Sequence, residues 1–293
     1  MSKSIILVTG GTGQVGTGIA HAAHGFDVVA PTRAELDLND PAAIVSAVAA
    51  RDWAAVINCA AYTAVDKAES EPDAAFAINA EAPRILAKAT AHRGIPLLHV
   101  STDYVFDGAK PAPYVEDDPV APLGVYGASK EAGERAVRTT NPRHIILRTA
   151  WVVSPWGNNF VKTMLRLGAE RPKLGVVSDQ IGCPTSAQDI ADTLLAIARD
   201  PGERWGTYHF VNAGQASWYD LASAVFAHAS ADGMSIPQVD PIGTADYPTP
   251  AKRPANSRLS TTRLTSTFSI EPRPWHEALE DIMATLLTQR TGS

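Results

Sequence analysis

A tyrosine and a lysine four residues apart are the strongest candidates for chemistry in this sequence. Tyr126 and Lys130 stand at the start of a helical pattern, so their side chains project from the same helix face. A free tyrosine has a pKa of about 10, and a neighbouring ammonium favours the phenolate. We therefore expect Lys130 to lower the pKa of Tyr126, which could then protonate a carbonyl oxygen while a nicotinamide delivers hydride to the carbonyl carbon. Since this spacing is frequent by chance in surface helices, its weight depends on its surroundings.

A hydroxyl is expected beside this pair. Thr102 and Asp103 follow a predicted strand at 96–101, so the Thr102 hydroxyl should lie at the sheet edge where ligands bind. There it could hydrogen-bond a substrate oxygen or Tyr126. The alternative is an ordinary strand end followed by a turn. Thr102, Tyr126 and Lys130 are our predicted catalytic residues.

A glycine-rich turn predicts a phosphate cradle. Glycines at 10, 13 and 16 follow the predicted strand 4–9 and open a predicted helix at 14–24. Such glycines permit a tight turn, let the backbone approach a pyrophosphate, and let the helix pack closely on the strand. In this strand-turn-helix context, dinucleotide binding is favoured over a purely structural turn. The predicted cradle comprises Gly10, Gly13, Gln14, Val15 and Gly16.

The type of dinucleotide depends on the end of the second strand. An acidic residue there would bind the ribose 2′-hydroxyl of NAD, but the chain offers Arg33, which can pair with the 2′-phosphate of NADP. A solvated surface arginine is the alternative. We expect NADPH as the cofactor, while the use of NADH stays open. Further cofactor contacts are predicted from the adenine side and from the end of the third strand: Asp37, Leu38, Ala60, Ala61 and Tyr62.

The order of elements predicts the fold. Apolar strands at 4–9, 27–30, 54–60, 96–101 and 144–149 alternate with helices at 14–24, 41–50, 73–92 and 127–139. This alternation predicts an α/β protein with a Rossmann-type, doubly wound parallel sheet. We expect a dinucleotide-binding domain at 1–150, which segments at about 187–212 can join, and a smaller, mainly substrate-binding α/β domain at 151–293. Helices are predicted in the second part at 160–170, 187–198, 218–229 and 275–288.

Composition excludes several classes of protein. The chain has 293 residues, 45% hydrophobic and 19% charged residues, and a net charge of −6, so neither a disordered protein nor a general nucleic-acid binder is expected. Its two cysteines, Cys59 and Cys183, have no metal-ligand spacing. We interpret Cys59 as a buried apolar residue. The apolar runs are too short for a signal peptide or a membrane span, so we expect a cytoplasmic protein.

Short sequence motifs along nearly the whole chain resemble those of the extended short-chain dehydrogenases and, within them, of the family of dTDP-4-dehydrorhamnose reductases. These motifs are GQVG at 13–16, AYTAVDKAE at 61–69, STDYVF at 101–106, VYG at 125–127, RTAWV at 148–152, GNNF at 157–160, DQIGCPT at 179–185 and RPANSRL at 253–259. The resemblance implies that Tyr126 donates the proton and that Lys130 holds the nicotinamide ribose. It also implies a nucleotide-sugar site, for which we expect Thr102, Asp103, Trp151, Asn159 and Arg253, with Arg258 as a second candidate for the diphosphate.

The implied reaction is NAD(P)H-dependent reduction of the C4 keto group of dTDP-4-dehydro-L-rhamnose to dTDP-L-rhamnose. Another nucleotide-linked 4-keto deoxysugar, or a non-catalytic cofactor-binding regulatory subunit of the same fold, is the alternative. A dehydratase is disfavoured because Tyr104, and not a glutamate, follows Asp103. An epimerase of this fold would recycle a tightly held NAD without net cofactor turnover.

One departure from the family concerns its metal. Some members dimerise around Mg²⁺ held by glutamates, and the matching positions here are Gly18 and Gln188. We therefore expect no metal requirement for the chemistry, and either a monomer or a homodimer that no metal links.

Overall fold

Six parallel strands form the central sheet of the computed structural model, which describes residues 3–22 and 25–291. Their order is β10-β5-β4-β3-β1-β2. The strands are β1 (Ser4–Thr9), β2 (Phe26–Val29), β3 (Ala55–Asn58), β4 (Leu97–Thr102), β5 (His144–Thr149) and β10 (Gly206–His209). Because β1 has β2 on one side and β3 on the other, the chain reverses its winding direction there, and ligands of such sheets bind at this point.

Helices cover both faces of this sheet, which confirms the doubly wound α/β prediction. The helices are α1 (Gln14–Ala22), α2 (Pro41–Ala49), α3 (Val65–Ala68), α4 (Pro72–Phe76), α5 (Ala82–His92), α6 (Val125–Thr140), α7 (Phe160–Glu170), α8 (Ala187–Arg199), α9 (Trp218–Ala231), α10 (Thr262–Phe268) and α11 (Trp275–Thr291). On one face Ile6 packs in a cluster with Ile19 of α1 and Ile190 of α8. On the other, Leu7 packs with Ile44 of α2 and Leu86 of α5. Neighbouring residues of β1 thus enter opposite cores, as strand geometry requires.

The later part of the chain has an apolar core of its own. It joins α7, α9 and α11 through side chains such as Val161, Val225 and Leu279, and it includes Phe106 from the first half. Short strand pairs complete this part: β6 (Val152–Val153) with β9 (Thr185–Ser186), β7 (Lys173–Val177) with β12 (Gln238–Ile242), and β8 (Ile181–Gly182) with β11 (Ala216–Ser217). The division of the chain at residue 150 stays a prediction.

The helix predicted at 73–92 is interrupted. It consists of α4, a π-helical turn at Ala77–Glu81, and α5. Pro83 explains the interruption, because proline lacks an N–H and its ring collides with the carbonyl four residues earlier in a regular helix. The turn directs Asn79 into the protein, where its side chain is completely buried.

Other boundaries differ by one to three residues. The strand predicted at 54–60 ends at Asn58, because the Asn58 side chain accepts a hydrogen bond from the backbone N–H of Ala60 (3.2 Å) and the chain leaves the sheet there. Helix α1 extends to Ala22, and residues 23–24 of the predicted helix lie outside the described residues, as do 1–2 and 292–293 of the predicted domains. None of the described helices combines the length and the apolar run that a membrane span requires.

Candidate active site

A cavity of about 940 Å³ lies at the carboxyl ends of the central strands. Most of the predicted site residues line it together: Gly10, Gly13, Gln14, Val15, Arg33, Asp37, Leu38, Ala60, Ala61, Tyr62, Thr102, Asp103, Tyr126, Lys130 and Trp151. Gly16, Asn159 and Arg253 do not line it. The sequence-predicted nucleotide cradle and the Thr/Tyr/Lys group therefore share one cavity.

The glycine turn packs too closely against neighbouring backbone for a side chain at two of its positions. Gly10 has a φ of +75°, and a Cβ there would lie 2.6 Å from the backbone nitrogen of Ala60. A Cβ on Gly16 would lie 2.3 Å from the carbonyl oxygen of Gly10, so Gly16 packs α1 against the turn. Gly13 meets no other atom so closely, and it lines the cavity at the start of α1. A helix N-terminus behind a glycine turn fits a pyrophosphate.

Buried hydrogen bonds hold the strand ends beneath this cradle. The Thr9 hydroxyl donates to Asn58 Oδ1 (2.6 Å), and Asn58 Nδ2 lies 3.0 Å from Nδ1 of His99. These residues come from β1, β3 and β4. Burial lowers the pKa of His99 well below its ordinary value, so the ring is neutral. Cys59, which follows Asn58, was predicted to be a buried apolar residue; it packs against the core but is only partly buried and lines the cavity, and desolvation raises the pKa of its thiol to about 12.

The side of the cavity predicted to face the adenosine carries a positive and a negative group. Arg33 is exposed at the cavity wall. Asp37 accepts hydrogen bonds from the backbone and side-chain nitrogens of Asn39 (3.0 and 2.9 Å), which lower the pKa of the Asp37 carboxyl. The neighbouring Leu38 is half-buried and packs against the apolar cluster that contains Leu7 and Ile44. This wall suits a ribose and its 2′ substituent, with the Arg33 guanidinium accessible to an anion.

Tyr126 and Lys130 lie on the first two turns of α6, and both line the cavity. Lys130 is buried, 2% exposed, and its Nζ donates to the carbonyl oxygen of Val100 (2.7 Å). Burial lowers the pKa of Lys130 to about 8, against the charges of Glu134 and Cys59. Burial raises the pKa of Tyr126 to about 12, while the contact with Thr102 opposes this rise. The expected lowering of the Tyr126 pKa was therefore wrong for this structure, because desolvation of the phenolate outweighs its favourable contacts.

Thr102 and Asp103 form a hydrogen-bonded pair at the end of β4. The Thr102 hydroxyl donates to Asp103 Oδ1 (3.0 Å) and accepts from the backbone N–H of Tyr104 (3.2 Å). The second carboxyl oxygen of Asp103 is buried without a protein partner. Burial raises the pKa of Asp103 to about 6, although the hydrogen bond from Thr102 opposes this. Asp103 lines the cavity, while this second carboxyl oxygen itself is shielded from it.

Trp151 lines the cavity in a strained conformation. Its φ of +47° is unusual for a large side chain. Its ring stacks on that of Trp218 at 3.5 Å between centroids, and Gly182 leaves room beneath it, since a Cβ there would lie 2.4 Å from the indole. Trp151 is thereby held as a rigid apolar surface that lines the same cavity as Thr102 and Tyr126.

Two predicted substrate residues bind protein groups instead of facing the cavity. Asn159 caps α7 and donates to Gln14 Oε1 (3.1 Å), which orients a cradle residue. The Arg253 guanidinium binds both carboxyl oxygens of Asp66 (3.0 and 2.8 Å). Arg258 likewise donates to Asn256, Gln215 and the Pro111 carbonyl. Direct substrate contacts of Asn159 and Arg253 stay predictions, and their present partners indicate an indirect role.

Sequence reasoning missed Asn79 and Tyr104. Asn79 accepts from the Tyr62 backbone N–H (2.8 Å), and its Nδ2 donates to the Tyr62 carbonyl (3.1 Å) and the Ser129 hydroxyl (3.0 Å). It thus ties the cavity wall to α6. Tyr104 lines the cavity with its ring edge-on to that of Tyr126, 5.4 Å between centroids. The sequence signal that could have pointed to Asn79 was Pro83, because a proline inside a helical pattern indicates an interruption of the helix about one turn earlier.

The positions matched to metal ligands lie at the contact of α1 with α8. A Cβ on Gly18 would lie 3.0 Å from the Ala187 carbonyl oxygen, and Gln188 donates to Asp192 (3.1 Å). Within residues 3–22 and 25–291, no group of three or more His, Cys, Asp or Glu side chains is arranged to hold a metal ion. The metal requirement and the oligomeric state stay predictions.

The fold and the cavity define a nucleotide-binding α/β protein of the Rossmann type with a Thr/Tyr/Lys group beside the cradle. A family model described as RmlD substrate binding domain matches residues 4–288, and the chain belongs to this family.

Named relatives support the assignment over full length. The dTDP-4-dehydrorhamnose reductase of Sinorhizobium fredii is 45% identical over 293 residues, covering 97% of this chain and 98% of the relative. A probable dTDP-4,6-dihydroxy-2-methyloxan-3-one 4-ketoreductase of Streptomyces antibioticus is 43% identical, covering 96% and 95%. The crystal structure of dTDP-4-dehydrorhamnose reductase from Bacillus anthracis in complex with NADP has a TM-score of 0.91 at 35% identity, covering 97% of this chain and 100% of that one.

Proposed function

We propose that this protein reduces the C4 keto group of dTDP-4-dehydro-L-rhamnose with NADPH, yielding dTDP-L-rhamnose. The observation that carries the proposal is the single cavity lined by the glycine cradle and by Thr102, Tyr126 and Lys130. The family and the full-length identity to reductases named for this substrate support the choice of reaction.

The cavity residues fit a dinucleotide phosphate. The cradle formed by Gly10, Gly13 and the start of α1 would hold the pyrophosphate, Arg33 the 2′-phosphate, and Lys130 the nicotinamide ribose. When bound, NADPH supplies the hydride for the carbonyl carbon. A relative in complex with NADP supports this cofactor. Whether NADH serves as well is decided by comparing dissociation constants of the two cofactors.

Tyr126 would donate the proton that the reduced oxygen needs. With a pKa raised to about 12 by burial, Tyr126 is a phenol at neutral pH and carries that proton. The ammonium form of Lys130, whose pKa burial lowers to about 8, predominates at neutral pH, and the Thr102 hydroxyl would orient the carbonyl oxygen. Asp103 and Trp151 would border the sugar. Donors placed where negative charge develops stabilise the transition state.

Replacing Tyr126 by Phe tests this assignment against the non-catalytic alternative. The phenylalanine keeps the ring contact with Tyr104 but carries no proton, so we expect turnover to fall by about 10²- to 10⁴-fold. NADPH binding, measured by quenching of tryptophan fluorescence, should change little. Wild-type protein that binds NADPH but reduces no keto sugar would favour a regulatory subunit.

A second candidate is the reduction of a related nucleotide-linked 4-keto deoxysugar, which the Streptomyces antibioticus relative favours. A hydrophobic wall such as the Trp151–Trp218 stack discriminates weakly between sugars that differ by one hydroxyl. Comparing kcat/KM for dTDP-4-dehydro-L-rhamnose, for another dTDP-linked 4-keto deoxysugar and for a UDP-linked 4-keto sugar separates the candidates. We further propose a cytoplasmic protein with a nucleotide-binding part at 1–150 and a mainly substrate-binding part at 151–293, acting as a monomer or as a homodimer without bridging metal.

A further inference from the structure

The helix that carries Tyr126 begins without a capping side chain of its own. Its N-cap residue is Gly124, which has no side chain to accept a hydrogen bond from the first N–H groups of the helix. Gly124 has a φ of −148°, an extended conformation that any residue adopts. The glycine is therefore not explained by backbone conformation. Since Tyr126 stands in the first turn of α6, fraying of this turn would displace the phenol directly.

Glu69 caps the helix from elsewhere in the chain. Its Oε1 accepts the backbone N–H of Val125 at 2.8 Å, the first N–H of α6. A Cβ built on Gly124 would lie 2.5 Å from the same oxygen. The glycine at 124 thus makes room for the carboxylate of Glu69. A negative group at this position also interacts favourably with the helix dipole.

The segment that carries Glu69 is itself anchored. Glu69 follows α3, whose Ala68 is completely buried, and the backbone N–H of Glu71 donates to the Lys67 carbonyl (3.0 Å). The Tyr62 hydroxyl donates to the Glu71 carboxylate (2.7 Å). Glu69 therefore reaches α6 from a fixed base and not from a flexible loop.

A second contact with α6 comes from Asn79, which is hydrogen-bonded to Tyr62 in the cavity wall. The Asn79 side chain accepts a hydrogen bond from the Tyr62 backbone N–H and donates one to the Ser129 hydroxyl on α6. Ser129 in turn donates to the Tyr126 carbonyl (2.8 Å). Tyr126 is held between two contacts, the carboxylate at the first N–H of the helix and the amide one turn later.

We propose that Glu69 is a positioning residue for Tyr126, acting by capping α6 through the space that Gly124 leaves. Glu69 touches neither substrate nor cofactor in this role. The proposal rests on the proposed function, since it concerns the proton donor of that reaction. It makes Glu69 and Gly124 a functional pair although they are far apart in sequence.

A double-mutant cycle tests the pair. In Glu69→Ala, kcat should fall about fivefold, the usual worth of one N-cap, while KM for the sugar and the dissociation constant of NADPH stay within about twofold. Gly124→Ala should have a similar effect, because its methyl group displaces the carboxylate. The double variant should be no worse than either single variant. Glu69→Gln should recover most of kcat, because its amide oxygen also accepts the Val125 N–H.

Hydrogen–deuterium exchange without substrate supplies a readout besides activity. The amides of residues 125–127 should exchange faster in Glu69→Ala than in wild type. Glu170→Ala is the matched control, because it removes an exposed carboxylate that pairs with Arg166 at the end of α7, and it should change neither kcat nor this exchange.

Three results would overturn the proposal: an unchanged kcat in Glu69→Ala, a reduced kcat with unchanged exchange at 125–127, or effects of the single variants that multiply in the double variant. Wild-type protein without turnover would refute the proposed function instead. Amide exchange at residues 125–127, compared between wild type and Glu69→Ala, would still test whether Glu69 caps α6.

Discussion

Glu134 is a buried carboxylate on α6, one helical turn after Lys130. It accepts three hydrogen bonds from the Arg148 guanidinium, Nε to Oε1 at 2.9 Å, Nε to Oε2 at 3.2 Å and Nη2 to Oε2 at 2.7 Å, and one from Arg138 (2.7 Å). Glu134 is 0% and Arg148 2% exposed. Burial opposes ionisation of Glu134, but the hydrogen bond and charge of Arg148 outweigh it and lower the Glu134 pKa to about 2.

Replacing Glu134 by Gln should destabilise the protein strongly. It leaves the Arg148 charge buried without an anionic partner, which costs about 3–5 kcal/mol, and we expect the lower end because Arg148 also reaches the Glu116 carbonyl (3.4 Å). For a chain of this size, a loss of about 3 kcal/mol lowers Tm by roughly 6–12 °C. Glu131→Gln is the matched control on the same helix. Glu131 pairs with Arg138 (2.7 Å), but burial and the charge of Glu134 raise the pKa of the Glu131 carboxyl, so a neutral glutamine there should cost less than at position 134.

The Tm difference between wild type and Glu134→Gln should depend on pH. The folded-state pKa of Glu134, about 2, lies below its ordinary value of 4.5, so its stabilising effect is complete above pH 4.5 and disappears as pH falls towards 2. The Tm difference between wild type and Glu134→Gln should shrink over that range in thermal denaturation followed by circular dichroism. The Glu134 charge also raises the Lys130 pKa, so NADPH binding in the variant should weaken at a lower pH than in wild type. Equal Tm losses in the two variants, or a shift of NADPH binding to higher pH, would refute this reasoning.

Further predictions concern the cavity and its rim. Asp103→Asn removes a negative charge that raises the Tyr126 pKa, so the tyrosinate absorbance of Tyr126, isolated by difference from the Tyr126→Phe variant, should appear at lower pH; a move to higher pH would contradict this. Arg33→Ala should weaken NADPH binding about tenfold and leave NADH binding unchanged, as checked by titration calorimetry, whereas an unchanged cofactor preference would make Arg33 a solvated surface residue. Asp66→Asn should cost less than about 1 kcal/mol in urea denaturation because Asp66 and Arg253 are partly exposed, yet it should speed amide exchange at 251–253; unchanged exchange would show that this pair does not hold the segment.

Local patterns account for what the sequence could predict. The glycines at 10 and 16 are recognisable because any side chain there would collide with backbone atoms of the same turn or its neighbour. The alternation of apolar strands and helices reports burial of both sheet faces. The spacing of Tyr126 and Lys130 reports a shared helix face. Each of these signals lies within a short stretch of chain.

Long-range contacts account for what could not be predicted. Glu69 meets Gly124 only after folding, and neither residue type by itself indicates a helix cap in another segment. The pairing of Arg253 with Asp66 spans most of the chain and uses an arginine that the resemblance directs to the substrate.

The pKa of Tyr126 likewise depends on tertiary burial. A neighbouring lysine can be read from the sequence, but the desolvation that raises the phenol pKa to about 12 cannot. The helix predicted at 73–92 contained a readable signal in Pro83, yet the consequence, Asn79 facing Tyr62 and Ser129, depends on the turn that the proline induces.

Oxidation of NADPH in the presence of dTDP-4-dehydro-L-rhamnose tests the central claim most directly. The sugar is generated in the assay, and the loss of reduced-nicotinamide absorbance is followed for wild type and Tyr126→Phe. We predict turnover by the wild type at about 1–1000 per second and little turnover by the variant. Wild-type protein that binds NADPH but does not oxidise it with this sugar would contradict the account.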